Sequence, residues 1–181
     1  KQFQPINGVI CLGTDVPLTV ACVAKELNLS GSPIKTAEIV SDKIIMKECF
    51  KKHYLPIPWF CEIHNFQDLC TIVKKNRFPL IIKPVDSRGA RGVLRLTEKV
   101  DLEWAFKTAL SYSPSKRIMV EQFLDGPQIS TESLVINKEV FTFGFSDRNY
   151  EFLKRYEPHV IENGGDLPSI LPEKDQNSIK A

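Results

Sequence analysis

Phe78-Pro79-Leu80-Ile81-Ile82-Lys83-Pro84-Val85-Asp86-Ser87-Arg88-Gly89-Ala90-Arg91-Gly92-Val93 is the stretch on which the fold turns. It reads as an apolar strand from Pro79 to Val85 that delivers a lysine near its end. It then breaks into a loop of small and basic residues and resumes as a strand from Gly92 to Leu96. Gly89, Ala90 and Gly92 let backbone N–H groups approach an anion closely, and Ser87 adds a hydroxyl donor. Lys83, Arg88 and Arg91 supply positive charge, so the loop suits a phosphate. The Walker pattern G-x-x-x-x-G-K-[ST] is absent, a strand follows where that loop demands a helix, and no dinucleotide fingerprint is present. On these residues alone a second reading stays open: a tight hairpin in which Lys83 discourages edge pairing and both arginines are solvated.

Upstream, Gly8-Val9-Ile10-Cys11-Leu12-Gly13 is a continuous apolar run that predicts a strand buried on both faces, and with it a parallel sheet. Thr14 and Asp15 are placed to cap a helix with Pro17 in its first turn and Val20, Ala21, Ala24 and Leu27 on one face. Asn28 to Pro33 is a turn-rich break, after which Thr36 and Ser41 offer caps for helical stretches ending near His53. Within them Ile45 and Cys49, and Met46 and Phe50, are spaced to face a core, while Lys43 and Lys47 share another face. Pro56, Pro58 and Trp59-Phe60 mark an extended segment and a hinge at about 55 to 62.

From there the pattern reads helix, strand, strand, helix, strand. Asn65 caps a helix carrying Phe66, Leu69, Cys70 and Val73, and Thr97 one carrying Val100, Trp104 and Ala105. Arg117 to Leu124 is a strand, and Ser130 to Ile136 with Val140 to Phe145 forms a hairpin about Asn137-Lys138. The segment Met119-Val120-Glu121-Gln122-Phe123-Leu124-Asp125-Gly126 can offer backbone groups to a purine edge and an apolar wall to its ring. An ordinary strand end with solvated Glu121 and Gln122 is the alternative. Arg148 is a candidate contact for a substrate carboxylate, since a guanidinium matches one in two bonds, but a turn with a local Asp147-Arg148 ion pair is the favoured reading. Tyr156, His159 and Glu162 alternate on an expected strand, and the polar tail from Glu162 starts a helix at Pro172-Glu173.

The 181 residues carry a formal charge of +2 with 43% apolar and 25% charged residues and no block of like charge, which argues against a nucleic-acid arm or a disordered tail. No stretch approaches the roughly 20 apolar residues of a membrane span. The five cysteines, Cys11, Cys22, Cys49, Cys61 and Cys70, form no C-x-x-C pair and suit free, buried thiols in a reducing compartment, so the cytoplasm is expected. Position 1 is Lys, which leads us to expect a piece of a longer product.

In order along the chain, Ser41-Asp42-Lys43, Leu55-Pro56-Ile57-Pro58, Phe78 to Pro84, the Ser87 to Val93 loop, Val120 to Gly126 and Ile129-Ser130-Thr131-Glu132-Ser133 resemble the ATP-grasp superfamily. They are most similar to the group of carbamoyl-phosphate synthetase, biotin carboxylase and the amino-acid ligases. The resemblance implies an α/β and α+β chain, a partial ATP-grasp fold preceded by the end of a Rossmann-like pre-ATP-grasp domain. It divides the chain into 1–40 (pre-ATP-grasp), 41–60 (linking helix and hinge), 61–122 (small lid subdomain) and 123–181 (start of a truncated large subdomain). It gives Lys43 and Lys83 contacts to ATP phosphates, with Ser87, Gly89, Ala90, Arg91 and Gly92 closing over them. Glu121, Gln122, Phe123 and Leu124 would hold adenine, and Gln128 would stand where many relatives place a ribose-binding glutamate. The implied function is an ATP-dependent ligation of a small-molecule carboxylate to an amine, or to a thiol or bicarbonate, through an acyl phosphate. A non-catalytic nucleotide-binding regulatory or scaffold module is the alternative. Mg2+ is the implied cofactor beside ATP. Its Glu and Glu-x-Asn ligands find no match here, so they are expected after residue 181 and the chain alone is expected to be inactive. No nucleic-acid or membrane partner is implied, and a homodimer is compatible with the reading.

Overall fold

The computed structural model describes residues 5–180, so positions 1–4 and 181, within the expected first and last domains, lie outside the described residues. The chain divides into two compact units between Gln122 and Phe123.

In the first unit, α1 (Pro17–Glu26), α2 (Ile34–Ser41) and α3 (Lys43–Lys52) precede a four-stranded antiparallel sheet. Its strands are β1 (Phe60–Ile63), β2 (Leu80–Pro84), β3 (Leu94–Leu96) and β4 (Ile118–Gln122), in the order β1-β4-β2-β3. Helix α4 (Phe66–Lys75) joins β1 to β2, and α5 (Leu102–Ser111) joins β3 to β4. Strand alternation sorts the two faces of this sheet. Leu80 and Ile82 of β2, Leu94 and Leu96 of β3, and Ile118 and Val120 of β4 pack with Leu69 of α4 and Ala105 and Ala109 of α5 into one buried core. The rings of Phe66 and Phe106 meet edge to face at 6.1 Å where the two helices adjoin. Ile81, Lys83, Met119 and Glu121 point to the opposite face, and register pairs Ile81 with Glu121 and Lys83 with Met119. Lys83 and Glu121 are thus diagonal neighbours.

In the second unit, β5 (Gln128–Ile136) and β6 (Glu139–Arg148) form a long antiparallel hairpin, β7 (Gly165–Asp166) joins the other edge of β6, and α6 (Glu173–Lys180) follows. The hairpin closes on Asn137 and Lys138 at φ 52° and 73°, the two left-handed residues that a tight turn matched to strand twist requires. A register shift between Glu132 and Ser133 re-aims the strand in its middle.

Several expectations are corrected. Residues 8–13 form no strand, Ile10 and Leu12 are 77% and 88% exposed, and every strand pairing among the described residues is antiparallel. An apolar run becomes a strand only where a neighbour completes its ladder, and none of the described strands lies beside this one. Val16, without a side-chain bond, stands at the start of α1 in place of Thr14 or Asp15. Pro33 and Asp42, and not Thr36 and Ser41, stand before α2 and α3. Asp101 caps α5, because Val100 N–H bonds to Thr97 C=O and spends residues 97–100 on a turn. Phe60–Ile63, at the end of the segment expected to be extended after Pro56 and Pro58, is a strand, and β4 supplies its partner. Residues 151–158 are turns and not a strand, since Tyr156 N–H bonds to Phe152 C=O and His159 N–H to Tyr156 C=O. The five cysteines are free as expected, but none is fully buried and Cys11 is exposed.

Candidate nucleotide-phosphate site

The first unit gathers three lysines and a carboxylate on the sheet face opposite the α4 and α5 core. Asp42 starts α3 by accepting from Ile44 N–H at 2.9 Å and Ile45 N–H at 3.0 Å through Oδ1. That sets Lys43 at the first position of the helix, where its backbone N–H bonds to Val85 C=O. Lys43 Nζ donates to Ser87 O at 2.6 Å and Val85 O at 3.4 Å, so it reaches the phosphate-type loop from the helix side. Burial first, and then the nearby charge of Lys83, push the Lys43 ammonium below its ordinary 10.5. An anion bound beside Lys43 would act against this shift, because opposite charge favours the ammonium form.

Lys83 donates to Glu121 Oε1, and Lys47, one helical turn beyond Lys43, lies 2.9 Å from Glu121 Oε2. Lys47 and Glu121 are buried. The spacing of Lys43 and Lys47 was visible in the sequence, but the role of Lys47 as partner to Glu121 was not; four-residue spacing says that two side chains share a face, not what that face meets.

The loop from Asp86 to Gly92 is held at its base. Asp86 accepts from Ser113 Oγ–H at 2.7 Å and Ser115 N–H at 2.8 Å. Burial works to raise the Asp86 pKa, but these hydrogen bonds outweigh it and hold the carboxyl below its ordinary value. Ser87 Oγ–H donates to Arg91 O at 2.7 Å and closes the loop on itself. Gly89, Ala90 and Gly92 have φ of 60°, 55° and 74°, and residues 88–91 are exposed. A cavity of about 700 Å3 opens beside the loop, with Thr14, Asp15, Ser41, Lys43, Ser87 and Arg88 in its wall. Lys43, Lys83 and the Ser87 to Gly92 loop are therefore brought together in one unit.

Among the residues expected at adenine and ribose, Glu121 and Gln122 end β4 in the first unit, with the Glu121 carboxylate committed to the lysines. Phe123, Leu124 and Gln128 open the second unit, Leu124 and Gln128 exposed and Gln128 paired with Arg148 across the hairpin. Arg148 is spent differently from either expectation: Nη1 donates to Glu162 Oε1 at 2.7 Å, while Asp147 accepts from Ser169 Oγ–H and Ile170 N–H. Among the described residues no three His, Cys, Asp or Glu side chains lie together as a metal would need, so no metal ligands are assigned.

A loop of left-handed small residues thus follows the strand that carries Lys83 and meets Lys43 at the start of a helix, and the sheet beside it holds a strand that ends in Glu121-Gln122. The profile of the family described as "ATP-grasp domain" matches residues 40–180, and the chain belongs to that family. It is 24% identical over 178 residues to the carbamoyl phosphate synthase large chain of Archaeoglobus fulgidus, covering 95% of this chain and 16% of that one. It is 25% identical over 169 residues to a D-alanine–D-alanine ligase of Bordetella avium, covering 90% and 53%. Among solved structures, the L-amino acid ligase from Bacillus licheniformis is 26% identical with a TM-score of 0.69, over 90% of this chain and 36% of that one. The D-Ala:D-Ser ligase from Enterococcus faecalis, at 16% identity and a TM-score of 0.75 over 91% and 49%, shares the fold. The chain thus spans between about a sixth and about half of the curated relatives it matches. No described helix is long and apolar enough to cross a membrane.

Proposed function

We propose that these residues form the ATP-binding portion of an ATP-dependent ligase that joins a small-molecule carboxylate to an amine. Lys43, which reaches the loop at Ser87 O, and Lys83, near the end of the strand that leads into the loop, carry this reading, because phosphoryl transfer depends on positioning and on cations that offset developing charge. In it, a carboxylate oxygen of the substrate bonds to the γ-phosphorus as ADP leaves. The amine then attacks the acyl carbon and phosphate departs, leaving an amide. Lys43 and Lys83 contact phosphate oxygens, the loop closes over them, and Glu121 to Leu124 hold adenine through main-chain groups. The carbamoyl phosphate synthase, D-alanine–D-alanine ligase and L-amino acid ligase names of the relatives support a ligase over a regulatory module.

Residues 61–122 serve in this reading as the lid subdomain and 123 onward as the beginning of the large one. ATP-grasp ligases use ATP with Mg2+, whose charge lowers the barrier to transfer when bound, but the described residues supply no metal cluster. Because the chain spans only between about a sixth and about half of the relatives it matches, the 181 residues alone are proposed to turn over little or no ligation, and robust ATP-dependent ligation by this chain would refute that.

Calorimetry of ATP-Mg binding to the wild type and to Lys83→Ala is the direct test. Loss of a charge-assisted contact is expected to weaken binding by about 1.5 to 3 kcal/mol, roughly 10- to 150-fold. Equal affinities would remove Lys83 from the phosphate site.

A further inference from the structure

Lys47 has no part in the phosphate and adenine contacts assigned above, yet it is only 7% exposed. A buried ammonium persists where a counter-charge meets it, and here the counter-charge is shared. Glu121 accepts Lys83 at Oε1 and faces Lys47 at Oε2, at 2.9 Å, so two cations divide one anion. The Phe60 ring, with its centroid 5.3 Å from Lys47 Nζ, closes the other side. The cluster thus carries one positive charge more than its carboxylate neutralises.

This imbalance has a consequence for Lys83. If Glu121 had only Lys83, drawing that lysine to a phosphate would strand a buried carboxylate, and the carboxylate would compete with the ligand for it. With Lys47 on the second oxygen, Glu121 stays paired whichever way Lys83 turns. We propose that Lys47 is a positioning residue for nucleotide binding, holding the Glu121 carboxylate so that Lys83 can be given up to a phosphate. The proposal rests on the reading of Lys83 as a phosphate contact. Lys47 itself touches no phosphate: it acts through Glu121.

The test is a titration of the full chain with ATP and with inorganic tripolyphosphate, the latter because it has no adenine. Lys47→Met, of similar length without charge, is expected to weaken both by about tenfold or more, since Glu121 then holds Lys83 alone. Adding Glu121→Gln removes the competitor and is expected to return tripolyphosphate affinity to within about threefold of wild type. A merely structural Lys47 gives no such rescue. Glu121→Gln alone is expected to bind tripolyphosphate at least as tightly as wild type. Lys47→Arg, which keeps a cation for Glu121, is expected to stay within about threefold of wild type where Lys47→Gln, a second neutral variant, loses about tenfold, so the role of Lys47 is decided even if Lys47→Met fails to fold. Wild-type affinity in Lys47→Met, a double variant as weak as Lys47→Met, or weakened tripolyphosphate binding in Glu121→Gln would each overturn the proposal. Failure of the underlying phosphate reading is seen separately, as unchanged tripolyphosphate binding in Lys83→Ala.

Discussion

Asp42 serves two partners at once. Its Oδ1 caps α3 through Ile44 and Ile45 N–H, and its Oδ2 accepts from Arg117 Nη1. Arg117 Nε in turn donates to Glu62 Oε1 at 2.6 Å, and the hydrogen bond to Glu62, opposed by burial and reinforced by Asp42, raises the already high pKa of the guanidinium. The helix start that presents Lys43 is thereby tied to β1 and to the residue preceding β4. The cap is worth about 1 kcal/mol and the ion pair, at a half-exposed arginine, about 0 to 1 kcal/mol. Asp42→Ala is therefore expected to destabilise by about 1 to 2 kcal/mol in urea unfolding. Asp42→Asn keeps a capping oxygen and should cost less; equal losses in the two variants would show that the cap is not the larger part. Ser41 and Asp42 are both good caps by residue type, and the sequence offers no reason to prefer the second. Arg117, 75 positions away, makes that choice.

At the level of the element, the loop between β2 and β3 is a set of left-handed positions with unequal surroundings. A Cβ at Gly92, at φ 74°, would stand 2.8 Å from Tyr112 Cβ and 2.9 Å from Pro84 Cγ. At Gly89, φ 60°, the nearest atom is Arg91 Nη1 at 3.6 Å, the end of a flexible side chain. Gly92→Ala combines backbone strain with overpacking and is expected to cost about 2 to 4 kcal/mol, against about 1 kcal/mol for Gly89→Ala, by thermal or urea unfolding. Ala90 already occupies φ 55°, so Ala90→Gly should not destabilise the chain by more than about 0.5 kcal/mol. Similar losses for the two glycines would mean that Tyr112 and Pro84 yield. The need for glycine here is legible in the sequence, because a strand-loop-strand pattern with small residues is local information. Which glycine is also pressed against Tyr112 is not, since α5 delivers that residue from 20 positions on.

For the molecule as a whole, both tryptophans, Trp59 and Trp104, fall in the first unit, so their fluorescence reports that unit's unfolding. Asp86 has a folded pKa below its ordinary 3.8, and its contribution to stability is therefore present above that value and lost as pH falls through the folded one. Lys43 has the opposite sign: with its folded pKa below 10.5, it costs stability at neutral pH, and the cost fades as pH rises toward 10.5. Asp86→Asn is expected to flatten the acid limb of tryptophan-monitored stability below about pH 4. An acid limb unchanged in this variant would show that other carboxylates govern it.

By itself the sequence determined what depends on near neighbours along the chain. It marked β2 with its basic loop, the α4 cap at Asn65, the β5 and β6 hairpin about Asn137-Lys138, and the ordered motifs of the family. Alternation, capping and turn chemistry act over a few residues, so they are written locally. Tertiary structure decided whether the 8–13 run would be a strand, and it paired Phe60–Ile63 with β4. It alone assembled Lys47, Lys83 and Glu121, and Asp42, Glu62 and Arg117. These side chains meet because antiparallel register and the placement of α3 bring distant positions to one sheet face, and a buried charge takes its partner from space, not from sequence.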